Sequence, residues 1–321
     1  MLYIRSNNID LYPGTQEERL PGFSSQFPHI CSHVILPDDP AGGCIWHWHK
    51  SVELFYVDKG ALIYHTPNGR RLFRAGSGGM VNSNVLHHTQ SLEPGTTMRL
   101  HLFDPELLAG IPGGYLEQRY LSPLVHCPGL ELLSLFPDVS GQADTLELLR
   151  QSLALDESAF GYELELQALL SRIWLAFARQ LPAEAPAASE PDPASEKVKR
   201  MLVYMTAHAA EKLSVQDIAA AAFCSERECY RCFRACLHTT PSDCLQSIRL
   251  QMACKLLIET QLTVTDIAQQ CGLGSSSYFG AQFRQNFGCS PTGYRRRWQD
   301  IDTQRHKSDS MSSLPGGIIK P

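Results

Sequence analysis

No run of eighteen apolar residues occurs in the 321-residue chain, so no stretch is long and apolar enough for a membrane helix. Near its start the chain also lacks a basic segment followed by an apolar core and a small-residue cleavage site; no export is expected, and the chain is placed in the cytoplasm. Eleven cysteines are spread through a long chain without any secretory signal, which points to reduced thiols rather than a disulfide framework. A large excess of one charge sign is missing as well, with 28 Lys and Arg against 33 Asp and Glu. That near balance conceals a split. Residues 1–195 carry 12 basic against 22 acidic side chains, whereas residues 196–300 carry 13 against 9. A basic C-terminal part joined to an acidic N-terminal part is what a nucleic-acid-binding domain attached to a non-binding one would show.

The length suits about two domains, because single cores rarely exceed ~250 residues. A Pro-, Ala- and acid-rich stretch, LPAEAPAASEPDPASE at 181–196, has no hydrophobic period and reads as a linker over 182–196. Before it, residues 30–103 alternate short β-branched and aromatic runs with Gly, Pro and Asn breaks, as in an antiparallel barrel or sandwich. Asn68-Gly69 is the best hairpin signal, suited to a type I′ turn. From 142 to 181 the spacing turns helical: Leu146, Leu149, Leu153, Leu166, Leu169, Leu170, Ile173 and Phe177 form stripes that pack on the barrel or on a second copy. The expected layout is therefore a sensing and dimerisation domain over 1–181, the linker, an all-helical domain over 197–300, and a disordered tail over 301–321.

An internal repeat carries the strongest signal in residues 196–300. Asp-Ile-Ala recurs at 217 and 266, and FRACLHTTP at 233 returns as FRQNFGCSP at 283. Ser214 and Thr263 stand as N-caps before VQDIAAAA and VTDIAQQC, and a short turn leads to a second helix near 226–237 or 275–286. That is helix-turn-helix spacing. On the first of these second helices Arg227, Tyr230, Arg231 and Arg234 share one face, while Cys229, Phe233 and Cys236 lie opposite. An arginine there is able to bond guanine O6 and N7 bidentately in the major groove. Cys229, Cys232 and Cys236 read as small buried hydrophobes rather than a zinc site, since they occupy one helix surface and lack a fourth ligand.

Over 196–298 these motifs resemble the AraC/XylS family of transcription regulators, with S-x-R-x-x-x-R-x-F-R, the connecting stretch IRLQMACKLLIE, and YFGAQFRQNFGCSPTGYRR. The resemblance implies an α+β multidomain chain: a cupin-like antiparallel β-barrel with C-terminal helices, then two helix-turn-helix units joined by a long helix. It also implies sequence-specific binding to double-stranded DNA, activation of transcription with RNA polymerase as partner, and a homodimer. By the family pattern the base-reading positions fall on Arg227, Tyr230 and Arg231 in the first unit and on Ser276, Ser277, Gly280 and Ala281 in the second. Gly280-Ala281 departs from the Ser-Arg the family often has there. The first unit is therefore expected to carry most base specificity and the second to grip phosphates through Arg284, Arg295, Arg296 and Arg297. A further departure is His238, where Gly288 stands in the second unit.

In the N-terminal part, His47-x-His49-x3-Glu53 and, further on, Asn82-x-Asn84-x2-His87 resemble the two cupin motifs. Alternate strand residues share a face, so His47, His49 and Glu53 point the same way. Two readings follow. In one, His47, His49, Glu53, Tyr64 and His87 line a metal-free pocket for a small polar effector such as a sugar, and no cofactor is expected. In the other, His47, His49, Glu53 and His87 hold a divalent metal. The second reading also admits a cupin enzyme, an isomerase or dioxygenase, fused to a DNA-binding module.

Overall fold

The computed structural model describes residues 2–5, 9–12, 16–36, 45–127, 129–180, 193–237 and 239–296. Contacts divide the chain into two compact units, one up to Ile248 and one from Arg249 onward.

Among the described residues the first unit opens with nine strands: β1 (Leu2–Arg5), β2 (His29–Ile35), β3 (Val52–Lys59), β4 (Ala61–Thr66), β5 (Gly69–Arg74), β6 (Gly78–Val81), β7 (His88–Ser91), β8 (Thr97–Phe103) and β9 (Leu132–Leu135). They form a six-stranded sheet in the order β1-β2-β8-β3-β6-β9 and a three-stranded sheet in the order β5-β4-β7. The expected barrel is thus drawn as two facing sheets. Short helices α1 (Glu106–Ala109) and α2 (Ser122–Val125) follow β8, and α3 (Ala143–Ser152) and α4 (Tyr162–Ala178) follow β9.

Strand β3 explains how the layers are stacked. Its residues alternate between two apolar faces: Val52 and Leu54 pack with Leu146, Leu149, Leu166, Leu170 and Phe177 of α3 and α4. Phe55 and Val57 face the other way, into a core shared with Leu62, Tyr64 and Phe73 of the smaller sheet. Phe55 stacks on Tyr64 at 4.1 Å between ring centroids. A strand buried on both faces reads as a continuous hydrophobic run, and VELFYV does. The only charged residue in that run, Glu53, points into the space between the sheets, where the candidate site lies.

The β4–β5 hairpin is present, but Thr66 pairs with Gly69, so Pro67 and Asn68 form its turn. The non-glycine residues with positive φ among those described are Asn84 and Phe223, and a type I′ turn centred on Asn68-Gly69 is therefore not formed.

The helical region begins with α5 (Pro193–Ala207), so residues 193–196, read from composition as linker, are helical. Proline suits the first helical turn and Glu196 favours its positive end, which accounts for the early start. The rest of the linker, His238, Arg297 and the tail at 301–321 lie outside the described residues. Helices α6 (Val215–Ala221) and α7 (Glu226–Leu237) complete the first repeat, α8 (Pro241–Glu259) connects, and α9 (Val264–Gln270) and α10 (Ser276–Phe287) complete the second. Among the described residues no helix is long and apolar enough to cross a membrane.

Candidate functional site: a DNA-reading surface and a buried histidine cluster

The two repeats start alike. The Ser214 hydroxyl accepts the Asp217 amide at 3.2 Å while the Asp217 carboxylate accepts the Ser214 amide at 2.9 Å; Thr263 and Asp266 repeat this at 3.1 and 3.3 Å. Each repeat's first helix is thereby closed by a capping box, which satisfies amides that a helix start leaves without partners. The second helices are capped by Ser225 and Ser275, whose hydroxyls accept the amides of Glu228 and Tyr278, each at 3.2 Å.

Helix α7 keeps the division expected of it. Arg227, Tyr230, Arg231 and Arg234 are exposed, while Cys229, Cys232, Phe233 and Cys236 are buried against α5 and α6. Burial pushes the Cys229 thiol up to about 12 and raises that of Cys232, so these sulfurs behave as core methyl-sized groups. The Glu228 carboxylate, one turn before Arg231, accepts from Arg231 Nη2 at 2.6 Å and Nε at 2.8 Å. Lys197 of α5 reaches the same carboxylate at 3.1 Å. Arg231, then Lys197, hold Glu228 down at about 2, so the carboxylate is anionic at any working pH. Arg231 is thus presented to a groove with its guanidinium already oriented.

In the second unit the candidates divide. Ser277, Ala281, Arg284 and Arg296 are exposed and Ser276 is half-buried, but Gly280 is buried beside Phe279 and Phe283. A Cβ placed at Gly280 would meet, among the described residues, only the Arg284 guanidinium, at 3.9 Å, so this position shares the exposed Arg284 side of α10. Arg295 is redirected: its Nε and Nη2 donate to the carbonyls of Leu257 and Leu262 at 3.1 and 2.6 Å. Those carbonyls end α8 and begin the loop after it, so Arg295 is a clamp on a helix terminus rather than a phosphate contact. Arg295→Ala is expected to destabilise the second unit by ~2 kcal/mol while leaving the salt dependence of DNA binding unchanged, as urea unfolding and a salt titration will show.

The turn of the first unit holds Phe223 at φ 52°, 89% exposed. Forty-nine positions later the second unit has Gly272 at φ 64°. A phenylalanine in the left-handed region without packing is strained. Phe223→Gly is expected to raise stability by ~0.5–1 kcal/mol, read as a higher urea midpoint; a lower midpoint would show hidden packing.

Between the sheets of the N-terminal unit, His47, His49 and His87 are all buried, with one ring nitrogen of each within 4.8 Å of the others. The strand segments holding His47 and His87 pair with each other, His47 N to His87 O at 3.0 Å and His87 N to His47 O at 2.9 Å. Each ring is fixed in the same manner. Nδ1 of His47, His49 and His87 lies 2.8 Å from the carbonyls of Ile45, Ser51 and Val85 respectively. A carbonyl only accepts, so each Nδ1 carries a proton and each Nε2 is the ring nitrogen turned toward the Glu18 and Glu53 carboxylates. Nε2 of His49 and of His87 is buried with no hydrogen-bond partner among the described residues.

Glu53 Oε2 lies 3.5 Å from His49 Nε2 and 3.8 Å from His87 Nε2, and its Oε1 accepts the Tyr64 hydroxyl at 2.6 Å. Burial pushes Glu53 up, but the His49 and His87 imidazoles outweigh it and hold the carboxyl well below its usual range. Burial, then His87 and His49, hold His47 well below the ordinary histidine range, so that ring is neutral. A residue that no spacing rule pointed to joins them: the Glu18 carboxylate is 3.7 Å from His47 Nε2 and is pushed by burial up to about 7.

The turn that aims His87 is built from Asn82 and Asn84. Asn84 takes the left-handed conformation at φ 59°, and Asn82 Nδ2 donates to the carbonyls of Leu124, Val125 and Leu130 at 3.0–3.1 Å. Trp46 lies on the opposite side from the histidine cluster, over His88 at 4.6 Å.

All five predicted pocket residues thus converge, but the cavity among His47, Glu53, Tyr64, His87 and Glu18 measures about 40 Å³. Ligand pockets typically span ~300–1,000 Å³, and one water takes about 30 Å³. The expected sugar does not fit this cavity; an ion does.

Two domain families match the sequence: an AraC-like ligand binding domain over residues 34–173 and a helix-turn-helix domain over residues 218–297. Among related proteins, the HTH-type transcriptional regulator YdeC of Bacillus subtilis (strain 168), described as uncharacterized, is 24% identical over 276 residues, covering 84% of this chain and 92% of its own. The HTH-type transcriptional activator RhaS of Klebsiella pneumoniae (strain 342) is 32% identical over 100 residues, 31% of this chain and 36% of its own. Among solved structures, wild-type ToxT of Vibrio cholerae strain SCE256, bound to an unsaturated fatty acid, aligns over 83% of this chain and 94% of its own at 14% identity and a TM-score of 0.46. With a ligand-binding domain of AraC type ahead of two capped helix-turn-helix units, the chain belongs to the AraC family of transcriptional regulators.

Proposed function

We propose that the protein is a cytoplasmic transcription activator that reads duplex DNA mainly through α7, works as a homodimer beside RNA polymerase, and responds to a small effector bound by its N-terminal domain (1–181). The observation that carries this is the exposed Arg227, Tyr230, Arg231, Arg234 face of α7, set on a buried Cys and Phe face within a capped helix-turn-helix unit. Activation draws on the likeness to RhaS, an activator over the matched region. The enzyme alternative finds no support in the matched domains or the relatives named above.

Leu146, Leu149, Leu153, Leu166, Leu170, Ile173 and Phe177 pack in one core with Val52 and Leu54 of the sheet. A second copy has the other side of α4, where Leu164 is 74% exposed and Leu175 and the neighbouring Phe160 are also exposed. An organic effector of sugar size has its room in a wider cleft of about 1300 Å³, lined by Trp48, Asn84, His126, Lys199, Arg200 and Tyr204.

A reporter driven by a promoter that the protein binds tests this. Expression is expected to rise with the protein and to fall to background with Arg231→Ala; a rise in expression on deleting the protein would make it a repressor.

A further inference from the structure

We infer that the histidine cluster is a binding site for a divalent first-row transition metal, that Glu18 closes it as a fifth ligand, and that the metal is an effector of DNA binding. The inference rests on the regulator reading above.

Four side chains, His47, His87, Glu53 and Glu18, line one small cavity, and beside it His49 Nε2 lies 3.5 Å from the Glu53 carboxylate, with ring nitrogens of the three histidines within 4.8 Å of one another. The imidazoles arrive with Nε2 turned toward the carboxylates, because each Nδ1–H is spent on a backbone carbonyl at 2.8 Å. That is the outer-shell arrangement metal-ligating histidines use to fix the ring and raise ligand basicity. The Nε2 atoms of His49 and His87 then have no partner among the described residues, although leaving a buried polar atom unsatisfied costs ~1–3 kcal/mol. The carboxylate contacts of 3.5, 3.7 and 3.8 Å are too long for good hydrogen bonds. Ligand atoms about 2.1 Å from one ion lie about 3.0–3.4 Å apart when adjacent, so a contraction of a few tenths of an ångström closes the carboxylate edges around a cation. Three imidazoles with two carboxylates suit Mn, Fe, Co, Ni or Zn, and the lack of a thiolate disfavours the softest ions.

Glu18 makes the site a sensor as well as a store. It comes from a segment before β2, not from the strands that hold the histidines, and is anchored to them through its amide, which donates to the Trp48 carbonyl at 2.8 Å. Two residues earlier the buried Gln16 side chain donates to the Thr206 hydroxyl of α5. Lys199 of α5 lies over the Trp48 ring at 5.6 Å. Helix α5 packs on α6 and α7, which present the DNA-reading face, and its Lys199 is two residues from the Lys197 that holds Glu228. Drawing Glu18 onto an ion therefore pulls on the segment that grips the first helix of the DNA-reading unit. For this to change DNA affinity, the metal must bind one arrangement of segment 16–18 more tightly than the other.

The test uses the full chain, stripped with EDTA and dialysed. Cobalt(II) is added while the visible d–d absorption is recorded, zinc(II) is titrated by calorimetry, and affinity for a selected DNA duplex is measured with and without zinc. The expected result is one metal per chain, a cobalt spectrum of nitrogen and oxygen ligation, and a 5- to 150-fold change in DNA affinity, the usual size of such coupling. His49→Ala with His87→Ala should abolish metal binding. Glu18→Gln should keep the metal but weaken it and remove its effect on DNA. Wild-type cobalt spectra need no variant, so a pair that fails to fold leaves the test intact. No binding at 100 µM metal by protein that still selects its duplex would overturn the metal site and leave the regulator standing. Metal bound with DNA affinity unchanged would overturn the effector role. Loss of sequence selection in both states would instead overturn the regulator reading.

Discussion

Arg231→Ala is expected to lower the preference of the protein for its own sequence over random DNA by roughly 10- to 100-fold, the worth of one bidentate arginine–guanine pair. In the free protein the Arg231 guanidinium is already held by two bonds to Glu228, which removes part of the cost of ordering a long side chain. Glu228→Gln weakens that grip and, with one acidic charge fewer on the reading face, should raise affinity for all sequences while narrowing the preference. Gln282→Ala, on the half-buried flank of α10, should change selectivity far less. Competition binding at fixed salt, with matched and scrambled duplexes, separates the two effects. Equal losses from Arg231→Ala and Gln282→Ala would refute the claim that the first unit does most of the reading.

The second large effect is on stability in acid. His29 Nε2 and His101 Nδ1 are 2.8 Å apart, and His101 Nε2 continues to the Ser152 hydroxyl at 3.0 Å, which joins β2 and β8 to α3. The link works with neutral rings. Burial lowers His29 to about 4, and burial with His29 beside it lowers His101 well below the usual range. Unfolded, both rings bind protons near pH 6.5; folded, they do not, so the unfolded state gains protons first as pH falls. Stability should therefore fall between about pH 6.5 and 4, by ~3 kcal/mol from His29 alone. Glu18 acts with the opposite sign, because its raised value near 7 lets the folded state take up a proton first. The clean measurement is a difference: urea unfolding of wild type and His29→Gln at pH 7 and pH 4.5. The wild type should lose ~3 kcal/mol more than the variant over that interval; equal losses would show that His29 titrates normally.

The parts of the molecule that repeat or alternate were legible from residues alone. The 49-residue offset placed both helix-turn-helix units and their N-caps, and the i, i+3, i+4, i+7 spacing on α7 told reading face from packing face. Period-two alternation put His47, His49 and Glu53 on one side. What escaped depends on chain crossings that leave no local pattern. Glu18 is 29 positions from His47 and meets it only because the segment around Trp48 pairs with Glu17. Arg295 sits in a basic run that resembles a phosphate grip, yet two carbonyls 33 and 38 positions earlier claim its guanidinium. The same offset that aligned the repeats also pairs Phe223 with Gly272, and a glycine at that place marks a positive φ. Cavity size was beyond reach, since Val34, Tyr64 and Leu100 wall it from three strands at once.

The central claim, that the chain reads DNA with two units of unequal discrimination, is tested most directly by selecting duplexes from a random library with the full protein at ~150 mM salt, where non-specific phosphate binding is weakened. An asymmetric motif with one strongly and one weakly specified element about 10 bp apart is the predicted outcome. Enrichment of two equally specified elements, or no enrichment at all, would contradict it.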